Sequence, residues 1–420
     1  MSITRRHFLV TAAASLTTIV THSHAMSQST SAITPAMPYD SDMLPAGIRS
    51  RYIENINGIR MHVLEAGFES TGRPAVLMIH GFPELAYSWR KVMPEIAAEG
   101  YHVIAPDLRG YGRTSGTDVS FDDDLAPFRT LNSVRDILGL VSGFGYRSVA
   151  AVIGHDFGSP FAAWCAVVRP DVFRSVVMMS APFGGPPAIP FNTANEPATP
   201  DRDKAGAIYE ALAKLNPPRK HYQRYYATRE ANVNMHQAPQ GVHAFLRAYF
   251  HMKSADWKQN APFPLAARTA EEWAKLPRYY VMDLDKGMAE TVASEMPSPK
   301  EIAACRWLTD AELRVYSCEY ERTGFQGGLQ SYRVGSSGRY LSELQLFSGR
   351  TIDQPSMFIG GKSDWGVYQN PGAIASMQKR VCKQMLGLQL IDGAGHWVQQ
   401  EQPAAVSRLL IEFLRVTAVR

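Results

Sequence analysis

Four short apolar runs, each too brief for a helix, constrain the fold of this chain more than any other feature. They cover residues 75–79, 102–105, 149–153 and 176–179, and helix-like segments at 88–99, 131–144 and 160–168 lie between them. A continuously apolar strand has to be covered on both faces, and crossover helices between parallel strands do this. The pattern predicts a doubly wound, mostly parallel sheet whose ligands gather beyond the carboxyl ends of the strands. Just before it, 51–56 and 60–65 flank Asn57-Gly58, a two-residue hairpin turn. The alternation stops near Pro182-Phe183-Gly184-Gly185-Pro186-Pro187, and the next stretch is mostly helix-like, rich in Tyr, Trp and Arg, with no obvious buried strand. It resumes with 356–359, 388–391 and a last helix at 403–414. The expected organisation is a core first part at 49–185, a helical lid at 186–348 over the carboxyl edge of the sheet, and a core second part at 349–420. There is no internal repeat.

The first residues read as an export signal. Arg5-Arg6 precede Phe8-Leu9-Val10, a mildly apolar run extends through Val20, and Ser23-His24-Ala25 offers small residues at the positions a signal peptidase reads. Thr4-Arg5-Arg6-His7-Phe8-Leu9 is similar to the bacterial twin-arginine signal, with Val10 where that pattern often has Lys. An ordinary secretory signal is the alternative. The expectation is a peptide at 1–25, a Ser/Thr/Pro/Ala-rich linker or arm at 26–48, and a periplasmic or secreted mature protein without a stable membrane anchor. A net charge of +4 over 420 residues, with no basic cluster interleaved with aromatics, argues against a nucleic-acid partner. Cys165, Cys305, Cys318 and Cys382 lack metal-ligand spacing, so no metal is expected. Either Cys305 pairs with Cys318 or all four are buried thiols.

Three motifs carry chemistry. Gly154-His155-Asp156-Phe157-Gly158 joins a strand to a helix, with small residues two places either side of Asp156. This is the layout of a nucleophile elbow, with Asp where Ser is usual. A carboxylate attacking a carbonyl would give an anhydride, whereas displacement at a saturated carbon gives an ester that water can hydrolyse. The plainer alternative is that Asp156 caps the following helix. His80-Gly81-Phe82-Pro83-Glu84 follows another strand, where a backbone N–H can complete an oxyanion hole. The expected donors are the amides of Phe82 and Phe157, and Phe82-Pro83 is a candidate cis peptide. Gly393-Ala394-Gly395-His396-Trp397 places a histidine late in the chain, where a general base belongs. The orienting acid should follow the strand through Ile359, and Asp364 fits. Asp353 lies before that strand, and Asp392 is too near the histidine loop.

Together these residues resemble the epoxide hydrolases of the α/β-hydrolase superfamily, over most of 50–185 and 350–420. Asp107-Leu108-Arg109-Gly110-Tyr111-Gly112 also looks like a loop of that superfamily, though many of its members share it. The resemblance implies two lid tyrosines that donate to the opening epoxide oxygen. Gly324-Phe325-Gln326-Gly327-Gly328-Leu329-Gln330-Ser331-Tyr332-Arg333 is similar to the segment holding one, and Tyr222-Gln223-Arg224-Tyr225-Tyr226 to that holding the other. The implied donors are Tyr332 and Tyr222. A phenol suits the task because it donates while staying neutral.

The expected protein is a hydrolase acting on ether bonds, turning a small-molecule epoxide into a diol through an ester on Asp156, with no cofactor. A haloalkane or haloacid dehalogenase uses the same triad, but many haloalkane dehalogenases place Trp directly after the nucleophile, where this chain has Phe157. A noncatalytic binding protein on the same fold would be expected to lack a triad residue.

Overall fold

The computed structural model describes residues 36–189 and 202–418. The expected signal at 1–25 and the first part of the arm lie outside the described residues. The rest of the arm is irregular, with one 3₁₀ turn at Ser41–Met43, yet it is not a free linker: Tyr39 and Leu44 are buried, and the Tyr39 ring sits edge-on to His62.

Ten strands occur among the described residues: β1 (Ile48–Ile56), β2 (Ile59–Ala66), β3 (Ala75–Ile79), β4 (His102–Pro106), β5 (Ala151–His155), β6 (Val176–Met179), β7 (Arg219–His221), β8 (Val281–Asp283), β9 (Ile352–Gly361) and β10 (Cys382–Ile391). Eight form one sheet in the order β1-β2-β4-β3-β5-β6-β9-β10. β2 pairs antiparallel with β1 and β4, and every pairing from β4 through β10 is parallel. The β1–β2 turn has both central residues at positive φ, Asn57 at 48° and Gly58 at 82°, the twist a tight hairpin requires. β3, β4, β5 and β6 are buried at every position, which is why they read as unbroken apolar runs. Helices Thr130–Gly143 and Gly158–Val168 pack on each other, as do Met93–Ala98 and Pro403–Ala418, and together they cover the sheet.

The helix expected at 88–99 is broken into a 3₁₀ turn, Ala86–Trp89, and a short helix, Met93–Ala98. Pro94 explains the break: it is tolerated in a first turn but not within a helix, so a new helix starts there.

The chain leaves the sheet after β6 and re-enters it at β9. The intervening lid is mainly helical, but it also holds β7 and β8, paired antiparallel over three residues each. The expectation of no obvious buried strand in this stretch is thus corrected, since both are mostly buried. Three residues are too few to show alternation, so nothing in the pattern betrays them. No helix among the described residues is long and apolar enough to cross a membrane.

Candidate active site

Asp156 stands at the carboxyl end of β5 with φ +51°. A Cβ on Gly154 would lie 2.0 Å from the Gly158 carbonyl oxygen, and one on Gly158 would lie 2.3 Å from that of Ile79. Both glycines are therefore required by close backbone approach, and the turn lifts Asp156 out of the strand line. The helix-cap reading fails here: the helix begins at Gly158 with Phe157 as its N-cap and has no side-chain cap bond. The carboxylate is engaged elsewhere. Its Oδ1 accepts the Phe82 N–H at 3.0 Å, and its Oδ2 lies 3.1 Å from His396 Nε2. Phe82-Pro83 is cis, as expected. The Phe157 amide makes no such bond and sits at the head of the helix.

His396 Nδ1 lies 3.1 and 3.2 Å from the two oxygens of Asp364, whose Oδ1 also accepts the Gly366 N–H at 2.7 Å. Asp364 follows β9 and His396 follows β10, so adjacent parallel strands deliver the carboxylate and the imidazole side by side. His396 and Asp364 are each 1% exposed. Burial alone would raise the Asp156 carboxyl, yet the hydrogen bond and charge of His396, helped by Lys253, hold it well below the usual range. Asp364 is lowered too: burial opposes this, but His396 and the Gly366 amide prevail. His396 is itself raised, because the two carboxylates outweigh burial and the charge of Lys253.

The lid brings both expected tyrosines together beside the residues that flank Asp156. Tyr222 opens the short helix Tyr222–Tyr226, and Tyr332 lies on helix Gln326–Ser337. Their ring centroids are 6.0 Å apart, and the Tyr332 ring stands 4.7 Å from that of Phe157 and 5.5 Å from that of Phe82. Burial, reinforced by the Asp156 charge, raises both phenols well above their ordinary value, so they stay protonated. A Cβ on Gly327 would sit 1.8 Å from the Gly110 carbonyl oxygen, so only glycine lets this helix press onto the core loop.

Several participants had no sequence signal of their own. Glu84 and His155 lie within the motifs, but their pairing is a tertiary fact: His155 Nδ1 is 2.5 Å from Glu84 Oε2, and His155 Nε2 donates to the His396 carbonyl at 2.7 Å. The His396 loop is fastened to the lid. Its amide donates to the Lys253 carbonyl at 2.8 Å, and Trp397 Nε1 donates to the Phe250 carbonyl at 2.8 Å. Glu401 accepts the amides of Gly395 and Trp397 from the loop and that of Ala255 from the lid. The cysteines form no disulfide, and they are not all buried: Cys318 is exposed and Cys305 half-buried. Cys318 lies on the amphipathic helix Asp310–Thr323, where short spacing in sequence says little about facing.

Comparison with known proteins agrees with this geometry. A family described as the alpha/beta hydrolase fold matches residues 74–238. Epoxide hydrolase B of Mycobacterium tuberculosis is 31% identical over 365 residues, spanning 86% of this chain and 97% of the relative. An epoxide hydrolase of Caballeronia sordidicola is 31% identical over 359 residues, spanning 86% and 92%. Among solved structures, an epoxide hydrolase from an endophytic Streptomyces superposes with a TM-score of 0.70 at 30% identity, covering 88% of this chain and 96% of that one.

Proposed function

Because the chain belongs to the epoxide hydrolases of the α/β-hydrolase fold, we propose that it converts an epoxide to a vicinal diol through a covalent ester on Asp156. The observation that carries this reading is one continuous hydrogen-bonded line, Phe82 N–H to Asp156 to His396 to Asp364. Oδ1 already rests on the Phe82 amide, where an ester carbonyl oxygen belongs, which leaves Oδ2 to attack. Oδ2 forms a bond to an epoxide carbon as the ring C–O bond breaks, and the departing oxygen takes a proton from Tyr222 or Tyr332, which solvent then restores. His396, oriented by Asp364, then takes a proton from water as the hydroxide adds to the ester carbonyl carbon. The oxyanion rests on the amides of Phe82 and Phe157; as it collapses, the diol oxygen leaves with the proton held by His396, and the Asp156 carboxyl gives its own proton to water and is a carboxylate again.

His396→Gln keeps the fold's contacts but removes the base, so the ester should form and persist. Intact-mass measurement after exposure to a reactive epoxide should show the protein heavier by one substrate. An unmodified protein that nonetheless binds the epoxide would overturn the role of Asp156.

A further inference from the structure

Helix Gly241–Lys253 delivers a lysine to the triad that the cycle above leaves idle. Lys253 is 3% exposed. Its ammonium lies 5.2 Å from the ring centroids of Tyr280 and Trp397, 5.4 Å from that of Tyr249 and 6.0 Å from that of Tyr279. It takes part in none of the ion pairs of the described residues, although the triad's own carboxylates are paired with His396. Aromatic faces offset part of the desolvation of a buried cation, but only part. A cation kept at such a place acts on its surroundings, and here they are the triad. The Lys253 carbonyl holds the His396 amide, and the ring of Trp397, one face of its cage, is centred 4.7 Å from the imidazole.

We propose that Lys253 is a positioning residue acting through charge: its buried ammonium keeps His396 neutral once Asp156 has become an ester, so that the imidazole serves as a base in the hydrolytic half of the cycle. The inference rests on the covalent reading above. In the free enzyme, Asp156 and Asp364 both draw a proton onto His396, against burial and Lys253. Alkylation cancels the Asp156 charge, which leaves Asp364 opposed by Lys253. Of the other groups around His396, only the tyrosine that gave its proton changes in that step, and its raised pKa returns it to the neutral form before water attacks. His155 lies beneath it with ring centroids 5.1 Å apart and Glu84 behind, Glu401 binds its loop, and the lid tyrosines Tyr222, Tyr249, Tyr279 and Tyr280 are held neutral.

The test follows decay of the preformed ester by quenched single turnover and intact mass, across the range in which imidazole titrates. Lys253→Met keeps the length of the side chain and loses the charge, and Lys253→Arg keeps the charge. Removing a cation raises the pKa of its neighbour, so the acid limb of ester hydrolysis should move up by about one pH unit in K253M. K253R should keep it at the wild-type position. A K253M limb at the wild-type pH, whatever its amplitude, overturns the proposal. If K253M does not fold, Lys253→Gln supplies the same comparison with the same two outcomes. A wild-type enzyme that forms no ester would instead remove the covalent reading itself.

Discussion

With φ at +51°, Asp156 occupies a backbone region that side-chain-bearing residues avoid. The strain is held by glycines at 154 and 158, which admit the adjoining backbone where any Cβ would collide. This logic is legible in the sequence only in context, since Gly-x-Asp-x-Gly alone also fits a helix cap and the two other motifs favour the elbow. The structure brings Asp364 and His396 into hydrogen-bond contact, and both are singled out by their order in the chain. Glu84, His155 and Lys253 are not, because a buried charge is recognised by what surrounds it, and those surroundings come from distant segments. The lid tyrosines support a sharp expectation. Changing Tyr222 and Tyr332 together to Phe removes both donors and keeps most of the packing. Each lost donor aimed at developing charge should cost about 2 to 4 kcal/mol in the transition state, by analogy with oxyanion-hole deletions. Single-turnover alkylation of Asp156 should nearly vanish while the melting temperature barely moves. Alkylation within about tenfold of wild type, roughly 1.4 kcal/mol, would make these tyrosines packing residues.

Among the elements, helix Gln326–Ser337 presses its backbone directly onto the core. Its Gly327 meets the backbone of Gly110, whereas Gly335 on the same helix has open space around it. Gly327→Ala should therefore displace Tyr332 and lower kcat/KM by about tenfold or more, in line with the sensitivity of catalysis to small misplacement. Gly335→Ala should leave activity unchanged and stabilise by about 0.5 to 1 kcal/mol, as alanine does in an exposed helix. Equal kinetic effects of the two changes would show that this contact does not set the tyrosine's position. The core elements are legible because buried parallel strands and crossover helices impose opposite periodicities on the sequence. The lid is legible only as helical, because β7 and β8 are too short to impose any.

For the molecule as a whole, the sheet edge carries an acid-sensitive tie. Glu65 on β2 is fully buried, and its carboxylate meets Arg49 and Arg51 of β1 and His102 of β4. Burial would raise its pKa, but these partners pull it down to about 2 from an ordinary 4.5. A folded-state pKa below the unfolded one adds stability that is complete above about pH 4.5 and is lost as the pH falls towards about 2, a window worth about 3 kcal/mol. Glu65→Gln cannot ionise, so its deficit in urea midpoint should be full near neutrality and close on acidification through that window. A deficit independent of pH would mean that shape, not charge, is what Glu65 supplies. This tie draws on three strands, which is why no local pattern announces it. The fastening of the His396 loop to the lid has a mechanical consequence. The histidine is stitched to both halves of the protein: the Lys253 carbonyl, the Phe250 carbonyl and Glu401 hold its loop to the lid, while His155 and Asp364 hold it to the core. Any displacement of this part of the lid therefore pulls on the imidazole that faces Asp156, and small misplacements there are costly.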